Sequence, residues 1–160
     1  MSSIEVPGLG KIAEVPDSPP GERFWAGSFR YSDGGRQDVS VFYLCVRGGG
    51  EPTRAHIEFA HTALAAIDRY IAGARELLAA KLRDDPGFFG VDVATAARTL
   101  AKGGASLPFG MPEPSFYESE EWRIRFAESA LPKCETFGVA VTFAGATPVR
   151  IEDLSDSEPI

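Results

Sequence analysis

The longest regular pattern in the chain is an apolar stripe with helical spacing from Arg54 to about Arg83. Apolar residues recur there at intervals of three and four, which places their side chains on one face of an α-helix. The stripe comprises Ile57, Ala60, Leu64, Ile67, Ile71, Ala74, Leu78 and Leu82. At 1.5 Å per residue the predicted helix is about 45 Å long, with Thr53 as its N-cap. Because such a stripe cannot stay exposed to water, we expect one long helix packed across a β-sheet.

Strand-like patterns precede this helix. Lys11–Val15 is a short strand candidate, and Phe24–Tyr31 alternates aromatic and small residues. Val39–Val46 is apolar on both faces, as in a central strand that is packed on each side. Asp33-Gly34-Gly35 between these two runs is typical of a turn. The sequence therefore predicts an antiparallel hairpin from Phe24–Tyr31 and Val39–Val46.

A second helix and a proline-rich segment follow the long helix. Val91–Lys102 has the pattern of a shorter helix, which Asp92 would cap if the helix begins slightly later. Residues 105–114 contain three prolines. Because proline lacks a backbone N–H, we expect no regular structure in that segment.

The last part of the chain has strand alternation. In Trp122–Phe126 apolar residues alternate with Arg123 and Arg125, and in Phe137–Phe143 they alternate with small residues. The small residues would let a helix lie close against the sheet. Pro148–Asp153 is predicted to be a final edge strand.

These elements indicate an α+β fold with a mainly antiparallel sheet. The 160 residues, of which 44% are hydrophobic, are enough for one domain with a substantial core. We expect a single domain over residues 1–154 and a flexible acidic tail over residues 155–160; a division into two domains at residues 104–114 is the alternative. The chain lacks a secretory leader and an apolar run long enough to span a bilayer, so we expect a cytoplasmic protein.

The histidines and cysteines do not form a recognisable catalytic or metal-binding motif. His56 and His61 are five residues apart on the predicted helix, so they do not share a face. We therefore expect no metal or cofactor, no catalytic residues, and partly exposed histidines. Cys45 lies in an apolar strand and is predicted to be buried, whereas Cys134 is predicted to be a free thiol. Of the two, Cys134 is the better candidate for a nucleophile beside a histidine.

Negative charge is concentrated at the C-terminal end. Residues 113–160 contain ten Asp or Glu and four Lys or Arg, which gives a net charge of −6 of the chain's −7. A field of one sign attracts basic surfaces and repels nucleic acid and anionic lipid. Exposed acids in this region are therefore the predicted partner-binding residues. They are Glu118, Glu120, Glu121, Glu152 and Asp153.

The layout resembles that of small bacterial α+β proteins of unknown function found near polymorphic-toxin loci, many of which serve as immunity proteins. The resemblance rests on Phe24-Trp25-Ala26-Gly27 at the start of a hairpin, the helix that ends near Arg83, and the strands Trp122–Phe126 and Phe137–Phe143 before an acidic tail. It implies no catalytic residues. We expect a non-enzymatic bacterial protein that binds a partner toxin through an acidic surface. The alternatives are an enzyme with a dispersed active site and a small-molecule or assembly module.

Overall fold

The structure is a computed structural model that describes residues 2–102, 108–134 and 137–154. The strands are β1 (Ser3–Val6), β2 (Gly10–Glu14), β3 (Glu22–Asp33), β4 (Arg36–Arg47), β5 (Gly110–Phe116), β6 (Glu121–Glu128), β7 (Val139–Ala144) and β8 (Thr147–Asp153). The helices are α1 (Arg54–Ala65), α2 (Ile67–Asp84) and α3 (Val93–Lys102). Short 3₁₀ turns lie at Pro86–Phe89 and Pro132–Cys134.

The eight strands form one sheet in chain order. Every neighbouring pair is antiparallel except β4 and β5, which are parallel. The parallel pair arises because the helices lie between these two strands and return the chain to the same end of the sheet. The predicted α+β class with a mainly antiparallel sheet is therefore confirmed. The predicted tail, residues 155–160, lies outside the described residues.

The predicted hairpin is confirmed and is longer than expected, since β3 and β4 are paired from Glu22 with Arg47 to Asp33 with Arg36. Gly34 and Gly35 both have positive φ, at 60° and 84°, as a two-residue hairpin turn of type I′ requires. The first strand of the sheet was missed. Residues Ser3–Val6 pair with β2, the strand that the sequence predicted at Lys11–Val15.

The prediction of one helix from Arg54 to Arg83 is wrong. The helix ends at Ala65 and a second helix begins at Ile67, because Ala66 has a non-helical backbone (φ −115°, ψ 21°). The stripe residues of α2 are nevertheless all buried, and those of α1 are buried at Ala60 and partly buried at Ile57 and Leu64. The predicted N-cap is confirmed, since the Thr53 side chain accepts a hydrogen bond from the backbone N–H of His56 at 3.2 Å.

α1 and α2 pack on one face of the sheet through aromatic contacts. Phe59 of α1 lies 6.2 Å from Phe116, and Tyr70 of α2 lies 5.0 Å from Trp122 and 5.5 Å from Phe143, measured between ring centroids. Trp122, Ile124 and Phe126 of β6 are completely buried beneath the helices. Burying large aromatic side chains dominates the energetics of such a core. None of the described helices is long and apolar enough to cross a membrane.

The prediction of a second helix is confirmed, whereas the prediction for the proline-rich segment is wrong. α3 begins at Val93, where Asp92 accepts a hydrogen bond from the Thr95 N–H at 2.7 Å, which confirms the capped helix. The expectation of no regular structure up to residue 114 is wrong, because β5 begins at Gly110. Pro112 and Pro114 are two residues apart, so their nitrogens face the same side of the strand. The described pairing of β5 with β4 begins at Ser115, after both prolines. The missing N–H groups therefore interrupt no described pairing.

The second face of the sheet, opposite α1 and α2, has side chains that are exposed to solvent. Leu44 is buried beneath the helices, but Val39 and Val41 on the opposite face are 57% and 37% exposed. The prediction that β4 is packed on both sides is therefore wrong for these two valines. The candidate site lies on this second face.

Candidate functional site

A cleft of about 500 Å³ opens on the sheet face opposite α1 and α2. Trp122 and Ile124 face the helices, and successive residues of a strand point to opposite faces, so Arg123 points away from the helices into the cleft. The other lining residues come from the end of β4, the β5–β6 turn, β7 and β8. The cleft is lined by Arg47, Tyr117, Glu118, Ser119, Glu121, Arg123, Thr142, Arg150 and Glu152.

The depth of the cleft comes from a short side chain between two long ones. Strand register places Thr142 of β7 directly between Arg123 of β6 and Arg150 of β8. The arginines rise above the threonine and form opposite walls. From the sequence, the small residues of β7 would let a helix lie close against the sheet, but one of them, Thr142, lines the cleft instead.

Ion pairs hold the walls of the cleft together. Glu152 lies 3.0 Å from Arg150 Nε and 3.5 Å from Arg123 Nη1. Arg150 also forms an ion pair with Glu121. The hydrogen bonds to Glu121 and Glu152 raise the pKa of the Arg150 guanidinium. The carboxylate of Glu118, at the rim, accepts a hydrogen bond from the backbone N–H of Arg47 at 3.2 Å.

The structure brings three of the five predicted acidic residues together. Glu118, Glu121 and Glu152 line the cleft, whereas Glu120 is exposed in the adjoining turn and Asp153 follows at the end of β8. The cleft lining also contains three arginines, so its formal charges sum to zero. The sequence prediction of an acidic surface therefore missed the arginines that accompany these acids.

Two polar atoms in the wall and floor of the cleft are buried without a hydrogen-bond partner among the described residues. They are Arg123 Nε and the hydroxyl oxygen of Thr142. Thr142 is only 3% exposed. An unsatisfied buried donor or acceptor costs roughly 1–3 kcal/mol. Such atoms mark the places in a cleft where a bound group gains most from hydrogen bonding.

Tyr117 completes the wall beside Arg123. Its ring centroid lies 6.0 Å from the Arg123 guanidinium carbon, which is a cation–π distance. Burial raises the pKa of the Tyr117 phenol, so the phenol is protonated and able to donate at neutral pH. An arginine against a tyrosine is a common combination in protein-binding surfaces, where both residue types are enriched.

In a neighbouring ion pair on the same face, both oxygens of the carboxylate are bonded by an arginine of the same chain. Arg125 Nη2 lies 3.1 and 2.7 Å from the two carboxylate oxygens of Glu113. Glu113 is 9% exposed. Arg123 and Arg125 thus both form ion pairs with acids of other strands, Arg123 with Glu152 and Arg125 with Glu113.

The cysteines are buried thiols. Burial raises the pKa of Cys45 to about 12 and also raises the pKa of Cys134. The predicted burial of Cys45 is confirmed, and both residues are free thiols. Cys134 is buried as well, so both thiols are protonated at neutral pH and are poor nucleophiles.

The histidines differ from the prediction in one respect. His61 is exposed, as expected, but His56 is 5% exposed and its Nε2 lies 2.8 Å from the Phe116 carbonyl oxygen. His56 therefore ties the start of α1 to the end of β5. Within the described ranges, no group of three or more His, Cys, Asp or Glu side chains is arranged to hold a metal ion.

Comparison of the chain with protein-family models, with curated proteins and with solved structures found no match.

Proposed function

We propose that this chain is a non-enzymatic, cytoplasmic binding protein of bacteria, an immunity-type inhibitor that binds a partner toxin through the acidic surface around the cleft. The observation that carries the proposal is the convergence of Glu118, Glu121 and Glu152 on one cleft, although β8 is about 30 residues away from the β5–β6 turn along the chain. A concave charged surface is suited to a partner with complementary charges.

The charge distribution supports a basic partner. Glu121 and Glu152 are paired with arginines, but Glu118 and Glu120 are exposed at the rim and belong to the region with a net charge of −6. Rim charges of this kind affect mainly the rate of encounter. The arginines and Tyr117 would then contribute short-range contacts once the partner is bound.

The test starts from a partner that this chain isolates by pull-down from bacterial lysate, which is produced and mixed with the chain in stopped-flow association experiments. The association rate should fall steeply from 0.1 to 1 M NaCl, because the Debye length falls from about 10 to about 3 Å. Simultaneous substitution of Glu118, Glu120 and Glu121 by lysine should slow association further, with little loss of folding stability.

The matched control changes three exposed acids elsewhere, Glu5, Glu51 and Glu76, to lysine. Both triple variants change the net charge by the same amount, so a specific effect of the cleft rim must be larger in the first. Equal effects in both triples, or a rate independent of salt, would contradict binding through this surface.

A further inference from the structure

Arg123 has an unused hydrogen-bonding edge. Among the described residues its one ion-pair partner is Glu152, which lies 3.5 Å from Nη1. That carboxylate lies closer to Arg150, at 3.0 Å. Neither the Nε nor the Nη2 of Arg123 forms a hydrogen bond with a described residue. The Nε and Nη2 atoms together form the side-on edge that binds a planar carboxylate with two parallel hydrogen bonds.

The same chain contains an example of this edge in use. Arg23 Nε lies 2.8 Å from one carboxylate oxygen of Glu14, and Arg23 Nη2 lies 2.7 Å from the other. Arg125, two residues from Arg123, binds both oxygens of the Glu113 carboxylate through Nη2 alone. Arg123 is therefore unlike Arg23, because the described protein supplies no carboxylate to its side-on edge.

Further donors surround this edge. The Thr142 hydroxyl is buried, lies directly opposite Arg123 in the strand register, and has no partner in the described chain. Arg47 lines the same cleft, and its guanidinium makes no hydrogen bond or ion pair with any described residue. Arginine has only donors, so the unmet bonding capacity of these residues calls for an acceptor.

We propose that the cleft binds a carboxylate group, held side-on by Arg123 Nε and Nη2, with the Thr142 hydroxyl and the Arg47 guanidinium as additional donors. The long 3.5 Å contact with Glu152 leaves Arg123 free to turn its covered Nε edge toward the ligand. We choose a carboxylate rather than a phosphate because carboxylates are the groups that arginines hold elsewhere in this chain, as Arg23 holds Glu14 and Arg125 holds Glu113. This inference does not depend on the proposed function.

The probes are sodium acetate and a short peptide with either a free or an amidated C-terminus. Each is titrated at constant ionic strength into ¹⁵N-labelled protein, with sodium chloride as reference. Acetate should give saturable shifts of the amides around Arg123, Thr142 and Arg150, with a Kd on the order of 1 mM for so small a ligand. If the free peptide binds at least about tenfold more tightly than acetate and the amidated peptide does not, the source is a chain terminus. Equal affinities for acetate and the free peptide identify a small carboxylic acid.

The variants test the assigned donors. Arg123→Gln should weaken acetate binding at least about tenfold and Thr142→Val several-fold, whereas Arg30→Gln, an exposed arginine on the same sheet face, should have no effect. If Arg123→Gln does not fold, Arg123→Lys replaces it, because lysine keeps the charge but loses the side-on edge. The proposal is overturned if acetate shifts do not saturate, if inorganic phosphate binds more tightly than acetate, or if neither Arg123 variant weakens binding.

Discussion

The unpartnered hydroxyl of Thr142 leads to a prediction about folding stability that has an unusual sign. Thr142→Val replaces the hydroxyl by a methyl group of nearly the same size at a site that is 3% exposed. Since the hydroxyl oxygen is buried without a partner among the described residues, the substitution removes a desolvation penalty of about 1–3 kcal/mol and should raise the free energy of unfolding by about that amount. For a chain of this size, 1 kcal/mol corresponds to roughly 2–4 °C in Tm.

Thr53→Val provides the matched comparison, because the Thr53 hydroxyl accepts a hydrogen bond from the His56 N–H at the start of α1. Loss of this N-cap should lower the free energy of unfolding by about 1 kcal/mol. The same chemical change is thus expected to have opposite effects at the two sites. Thermal and urea unfolding followed by circular dichroism measure both. If Thr142→Val destabilises the protein as much as Thr53→Val does, the Thr142 hydroxyl has a partner and the reasoning about the cleft floor is refuted.

Two further predictions concern the backbone and the thiols. Gly138→Ala should lower the free energy of unfolding by at least about 2 kcal/mol, because Gly138 has φ +77° and an added Cβ would lie 1.9 Å from the Phe126 carbonyl oxygen. Gly35→Ala is the control and should lower it less, since Gly35 has φ +84° but open space around it. Equal losses for the two variants in urea unfolding would contradict the steric argument. Cys45, whose pKa is raised to about 12 by burial, should react with an aromatic disulfide reagent at pH 8 about a thousandfold more slowly than a free cysteine. In the Cys134→Ala variant, the rate at which Cys45 reacts in the folded protein should rise steeply only as the pH approaches 12. A fast reaction at pH 8 would show that the Cys45 thiol is ionised or accessible.

Alternation along single strands was readable from the sequence because it is a local property. Trp122, Ile124 and Phe126 face the helices and Arg123 faces the opposite side, as the pattern predicts. The N-cap at Thr53 was readable for the same reason. The break at Ala66 was not, since the alanine-rich segment around it contains no glycine or proline that would end a helix.

Features that depend on strand order could not be read in this way. Whether Pro112 and Pro114 disrupt a strand depends on which neighbour their nitrogens face, and this is fixed only when β5 lies beside β4. The cleft likewise depends on the register that sets Thr142 between Arg123 and Arg150. A charge count along the chain identified the acids of this region but could not reveal that arginines from three strands lie among them.

The central claim is that the protein binds its partner through the sheet face that carries the cleft. Amide hydrogen exchange of the free protein and of its complex with the partner isolated by pull-down tests this most directly. We expect protection in residues 117–123 and 147–153, which border the cleft, and unchanged exchange in the exposed residues of α2 and α3. Protection confined to these helices, with no change around the cleft, would contradict the account.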